Sequence, residues 1–173
     1  MLQKLKTESI EIRQAHFCDA RTIASIGSTS WIEAYRHIVP IRKMVSESLY
    51  QTALDVEERM RKKGTCIYIA YYNKIPCGVA ILMRKHIGYT ELDWLFILPG
   101  YRNLNIGAKL IKLCIHKARK EYTRLTLSAL RKNIHARRFY ERAGGVKGRF
   151  SSFSWNGFPA MDVWYTWGVN NET

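Results

Sequence analysis

The chain has 173 residues, with 28 Lys and Arg against 14 Asp and Glu and a formal charge of +14, a length that fits one domain of ordinary size. With 47% hydrophobic and 12% aromatic residues and few Gly or Pro, it can bury a sizeable core, which excludes a disordered, collagen-like or disulfide-stapled chain. The first residues, Met1 to Lys6, hold no apolar core before a cleavage site, and no run approaches the roughly 18 apolar residues of a membrane span, so a soluble protein of a reducing cytoplasm is expected.

Ser9-Ile10-Glu11-Ile12-Arg13 alternates apolar and charged residues and predicts a first, half-buried strand. Asp19 is placed to cap a helix from about Ala20, with Ile23, Ile26, Trp31, Ala34 and Tyr35 near helical spacing and Pro40 as its stop. A second helix is expected from about Arg42 to Lys63, ended by Gly64. Strands follow at Cys66–Tyr71, Gly78–Met83 and Tyr89–Leu98, joined around Asn73-Lys74-Ile75-Pro76 and closed by Pro99-Gly100, in the pattern of an antiparallel meander. Gly107 to Lys120 carries one apolar face and predicts a helix, Leu125–Leu130 a strand, and Ala136–Ala143 a short helix stopped by Gly144-Gly145. Phe150–Trp167 is expected to close the fold as a hairpin turning at Asn156-Gly157.

The charge is unevenly placed. Residues 1–101 carry 14 basic and 10 acidic groups, residues 102–149 carry 14 basic groups against only Glu121 and Glu141, and the tail holds Asp162 and Glu172. A block of +12 attracts a polyanion: a phosphorylated cofactor, a nucleic acid or an acidic lipid surface. The four cysteines, Cys18, Cys66, Cys77 and Cys114, form no C-x-x-C pair and have no His at metal-ligand spacing. Lying in apolar stretches, they are expected to be reduced, buried thiols, and no metal is expected.

Between the third meander strand and the amphipathic helix lies Leu98-Pro99-Gly100-Tyr101-Arg102-Asn103-Leu104-Asn105-Ile106-Gly107-Ala108-Lys109. A loop in that position can aim backbone N–H groups and the positive end of a helix at a phosphate, with charge from Arg102 and Lys109; it also fits an ordinary strand-to-helix turn. The loop resembles the acyl-CoA-binding motif of the GNAT family of N-acetyltransferases, which reads Arg or Gln, two residues, Gly, one residue, then Gly or Ala. Arg102 and Gly107 match, while Asn105 stands at the first Gly. Asn is among the few residues that adopt left-handed backbone readily, so it can keep the loop geometry.

Asn133-Ile134-His135-Ala136-Arg137-Arg138-Phe139-Tyr140 followed by Gly144-Gly145 also resembles the GNAT family. The resemblance implies that Asn133 orients the cofactor, with Arg137 beside it, and that Tyr140 protonates the departing thiolate; taken alone, Phe139 and Tyr140 fit core aromatics better. It further implies an α/β three-layer fold: a mixed, mostly antiparallel sheet with helices on both faces and a splay between the fourth and fifth strands, opening at Phe96-Ile97-Leu98. There backbone groups hold the pantetheine and polarise the thioester. Residues 102–109 (Arg102, Asn103, Leu104, Asn105, Ile106, Gly107, Ala108 and Lys109) are implied to bind the cofactor, acetyl-CoA, which leaves as CoA.

Glu91 and Asp93 lie two apart on a predicted strand and share a face, the spacing a base and a substrate-orienting carboxylate need. They are the only acids between Glu58 and Glu121; pairing with Arg84 or Lys85 is the structural alternative. The resemblance makes Glu91 the first choice for the base, and it sets Trp31, Tyr35 and Arg36 on the acceptor side. No Cys or Ser nucleophile with an adjacent base is visible, which favours direct attack in a ternary complex. A small-molecule amine is the favoured acceptor; a protein amine, an aminoacyl-tRNA and a non-catalytic nucleic-acid or acyl-CoA-binding module are the alternatives. A homodimer is a further possibility that the family resemblance raises.

Overall fold

The computed structural model describes residues 9–44, 49–86, 88–121 and 123–168. In chain order the elements are β1 (Ile10–Gln14), α1 (Ala20–Tyr35), α2 (Ile41–Met44), α3 (Leu49–Arg61), β2 (Thr65–Tyr72), β3 (Ile75–His86), β4 (Tyr89–Ile97), α4 (Ile106–Lys120), β5 (Arg124–Leu130), α5 (Ile134–Arg142), β6 (Val146–Trp155) and β7 (Phe158–Trp167). The predicted succession holds, with local differences. The helix expected over residues 42–63 is two helices, α2 and α3, and residues 45–48 lie outside the described residues. Asp19 does not cap α1 with its side chain. Its carboxylate instead accepts from the His16 N–H at 2.7 Å and from the Arg13 guanidinium at 2.7 and 3.0 Å. Cys77 and Cys114 are buried as expected, but Cys66 is only half-buried and Cys18 is exposed, the latter because it sits in a 3-10 turn, Phe17–Asp19, that precedes the helix.

The strands form one seven-stranded sheet in the order β1-β2-β3-β4-β5-β7-β6. Short turns make the β2–β3, β3–β4 and β6–β7 ladders antiparallel, and β1–β2 and β5–β7 are antiparallel across longer connections, whereas the chain leaves β4 through α4 and returns beside it, so β4 and β5 are parallel. The turn at Asn156-Gly157 has positive φ at both residues (47° and 78°), the geometry that hairpins with two-residue loops favour. On one face, Leu110, Ile111 and Cys114 of α4 pack on Ala80, Leu82, Leu92, Leu125, Leu127 and Tyr165. On the other, Ile23 and Ala24 of α1 and Ala53 and Val56 of α3 cover Ile67, Ile69, Val79 and Ile81. Each large apolar side chain buried in these layers contributes about 1.5–3 kcal/mol.

One irregularity positions the site. Ile81 of β3 faces Trp94 of β4 while its neighbour Leu82 faces Leu92, which leaves Asp93 as the extra residue of a bulge. Bulges bend and twist the strand that carries them. The β4–β5 ladder accordingly holds only three pairs, Tyr89 with Arg124, Thr90 with Leu125 and Glu91 with Thr126. From Leu92 to Ile97, β4 keeps a strand neighbour only in β3. The splay therefore begins at Leu92, earlier than the Phe96-Ile97-Leu98 expected from sequence.

Candidate active site between strands β4 and β5

The loop from Arg102 to the start of α4 is built on left-handed asparagines. Asn103 has φ 62° and Asn105, the residue before α4, has φ 59°. The unbranched polar side chain of Asn tolerates this region at modest cost, so Asn105 supplies the turn expected of a Gly. Arg102, Asn103, Asn105 and Lys109 are exposed, Leu104, Gly107 and Ala108 are half-buried, and Ile106 anchors the loop in the core. Gly107 lies under Phe139 of α5: a Cβ there would stand 3.4 Å from the ring and 3.8 Å from Ile97 Cγ1. The two sequence motifs thus meet at this glycine. No acidic residue lies between Arg102 and Lys109, and helix α4 adds its positive N-terminal end, a setting that suits a phosphate.

Along the gap, Leu98 N–H donates to Cys77 O at 2.8 Å. Since strand backbone groups alternate in direction, Phe96 and Leu98 address β3, while Leu95 and Ile97 turn their N–H and C=O groups into the gap. Of the three backbone positions expected to hold a ligand, Ile97 is the one so oriented. The Phe96 ring packs edge-on against Trp94, with centroids 5.6 Å apart.

Tyr140 projects from α5 among Phe139, Tyr165 and Trp167, with ring centroids at 5.4, 5.8 and 6.3 Å. Burial, reinforced by the Tyr35 and Tyr165 hydroxyls, pushes the Tyr140 pKa above the ordinary phenol value, so it holds its proton. Tyr35 belongs to α1, on the opposite face of the sheet, packed with Trp31, Leu130 and Phe158. Its hydroxyl, bonded to the Asn133 side chain, is pushed up to about 12 by burial and by the Asp162 carboxylate. The Tyr35 hydroxyl thus lies within electrostatic range of Tyr140 from the other face of the sheet. Asn133 caps α5, its side-chain oxygen accepting from Ala136 N–H at 3.2 Å.

Other expected residues are engaged within the protein. Arg137 donates to the Tyr165 hydroxyl at 3.3 Å and to Arg131 O at 3.0 Å. Arg36 pairs with Glu33 at 3.1 Å, near the end of α1, and Trp31 stacks edge-on with Tyr35 at 5.8 Å. Glu91 and Asp93 share a face, as their spacing predicts. Glu91 pairs with Lys85 at 3.2 Å, and Asp93 pairs with Arg59 of α3. Asp93 and Lys85 also line a cleft of about 240 Å³ with Asp55, Glu58, Arg59, Lys62 and Met83. Sequence reasoning does not single out Asp162 and Ser128, joined by a 2.8 Å hydrogen bond across β5 and β7. The available signal is that Asp162 is the lone charged residue in β7.

No curated protein matches the chain at a significant level. Solved structures share its fold. The PaiA N-acetyltransferase of Thermoplasma acidophilum, in complex with coenzyme A, is 20% identical with a TM-score of 0.70, over 90% of this chain and 98% of that one. An N-acetyltransferase from Staphylococcus aureus is 17% identical with a TM-score of 0.73, over 93% and 98%. Salmonella typhimurium yncA, solved with its cofactor acetyl-CoA, is 16% identical with a TM-score of 0.71, over 95% and 96%. The model of the acetyltransferase (GNAT) family matches residues 30–145, from the end of α1 through the bulged strand and the asparagine loop to Tyr140 and Gly145. The chain belongs to the acetyltransferase (GNAT) family.

Proposed function

We propose that this acetyl-CoA-dependent acetyltransferase moves the acetyl group onto a primary amine by direct attack in a ternary complex, with a small-molecule amine as acceptor. The observation that carries the reading is the gap itself: the β4–β5 ladder stops at Glu91 and Thr126, and Tyr140 lies within electrostatic reach of Tyr35 on the far face. The residues present fit the cofactor. The loop from Arg102 to Lys109 would hold its pyrophosphate, the Ile97 backbone its pantetheine, and Asn133 and Arg137 the opposite bank. Bound there, acetyl-CoA supplies an acyl group activated as a thioester.

Each side chain then has a task. Glu91 takes one proton from the acceptor ammonium, freeing the nitrogen lone pair, with Asp93 orienting that group. Backbone donors in the gap stabilise negative charge on the carbonyl oxygen. As the N–C bond forms and the C–S bond breaks, Tyr140 gives its proton to the sulfur and recovers one from the acylated nitrogen. The amine thus loses two protons, one ending on the CoA thiol and one in solvent through Glu91. For Glu91 to act, the Lys85 ammonium must move aside, which an ion pair of half-exposed side chains allows at small cost.

The test is calorimetry of the purified chain with acetyl-CoA and with CoA at two salt concentrations, followed by thiol release with a panel of amines. Stoichiometric binding and amine-dependent thiol release are expected. An absence of binding at both salt concentrations overturns the reading.

A further inference from the structure

The β7 residues Val163, Tyr165 and Trp167 point into the core beneath α4, so the alternation of the strand sends Asp162 and Trp164 to the other face. On β5, Leu125, Leu127 and Ala129 face α4, and Thr126 and Ser128 face away. Asp162, fixed by Ser128, therefore lies on the sheet face that carries Asp93 and its α3 partner Arg59, but on the opposite bank of the gap. Among the described residues no ion pair joins Asp162 to a Lys or Arg. Glu91, Asp93 and Asp19 each have such a partner. A half-buried carboxylate without a cation, in a chain of +14, is costly. Its desolvation accordingly raises its pKa above the ordinary value. It lies within electrostatic range of Tyr35, whose apolar cluster includes Trp31 and Phe158.

We infer that Asp162 binds the ammonium group of the acceptor, with Trp31, Tyr35 and Phe158 enclosing the hydrocarbon attached to it. The inference rests on the acetyl-transfer reading above and deepens it, since it names the acceptor class as alkyl or aralkyl ammonium ions. Ammonium binding supplies the charge partner that the fold withholds from Asp162, and aromatic faces favour a cation. Glu91 keeps the task of accepting the proton, so the loss of Asp162 is read in affinity and KM more than in kcat.

The experiment titrates the CoA-saturated protein with benzylamine, an ammonium ion at neutral pH, and with aniline, which is neutral there, while thiol release from acetyl-CoA is followed with both amines. Wild type is expected to prefer benzylamine. Asp162→Asn, close in size and still able to bond Ser128, is expected to weaken benzylamine at least about tenfold and to leave aniline and CoA within about twofold. Ser128→Ala, which keeps the carboxylate, is expected to retain benzylamine affinity within about threefold. Equal losses for the two amines, an unchanged benzylamine affinity, or no wild-type preference would each overturn the inference. Asp162-dependent benzylamine binding without any thiol release would sink the acetyl-transfer reading instead and leave the ammonium site standing.

Discussion

Gly27 of α1 lies directly against the indole of Trp94 on β4, so closely that a Cβ would stand 2.3 Å from ring atom Cζ3. The missing side chain lets α1 settle onto the strand at the residue that follows the bulge. In an exposed helix, Gly→Ala stabilises by about 1 kcal/mol. Here Gly27→Ala is expected to destabilise by about 1–3 kcal/mol through overpacking, read as a lower urea midpoint. Combining it with Trp94→Phe, which removes the atoms that clash, is expected to recover part of the loss.

Tyr140→Phe keeps the ring contacts with Tyr165 and Trp167 and removes only the hydroxyl that carries the proton. We expect kcat to fall at least about 100-fold with CoA affinity unchanged, measured by thiol release and calorimetry. Because burial raises the Tyr140 pKa, its neutral form, the active one, persists through the ordinary phenol range near pH 10. The wild-type rate should therefore show no loss from this hydroxyl up to that pH, and a basic limb below pH 9 that disappears in Tyr140→Phe would contradict the assignment.

The left-handed backbone at Asn105 already has the shape that a glycine would give. Asn105→Gly is expected to change acetyl-CoA affinity by no more than about threefold, whereas Asn105→Val, β-branched and strained at positive φ, is expected to weaken it at least about tenfold. Gly107→Ala meets Phe139 only at van der Waals distance and should fold normally. Gly107→Trp should abolish binding. Calorimetry on the four variants ranks them directly.

The Arg13 guanidinium, by its hydrogen bonds, holds the Asp19 carboxyl below the usual carboxylate range. A folded pKa below the unfolded one contributes stability that is present above about pH 4 and is lost as pH falls through the folded value. Asp19→Asn is expected to cost about 1–2 kcal/mol at pH 7 for this partly exposed pair. The difference should shrink steadily below about pH 4. Chemical denaturation at a series of pH values checks both the size and the direction.

Much of the fold was legible because its signals are local. The alternation in Ile10–Gln14, the apolar face of α4, the Asn156-Gly157 turn and the Gly144-Gly145 stop all act through neighbours a few residues away. The two motif segments that meet at Gly107 and Phe139 were legible through their order along the chain. What was hidden depends on contacts between distant elements. The bulge at Asp93 arises where β4 must satisfy both β3 and the Gly27 face of α1, and nothing in Glu91–Phe96 announces it. Asp19 reads as a cap from sequence, yet Arg13, six residues earlier, claims it. Asp162 reads as one charge in a strand until the β5–β7 ladder brings Ser128 beside it and the end of α1 brings Tyr35 within its electrostatic range.

The ladder that stops at Glu91 gives the sheet an edge in its interior as well as at its rims. Rim strands can be guarded by charge or by irregular backbone. An inner edge is guarded only by what fills it, so a molecule that bonds to Leu95 and Ile97 completes the sheet as a missing strand would. Stability then becomes a function of the occupant's concentration, through the same mass action that governs any native-state ligand. During turnover each release step reopens a seam in the middle of the protein, and the resting form most exposed to unfolding and association is the empty one.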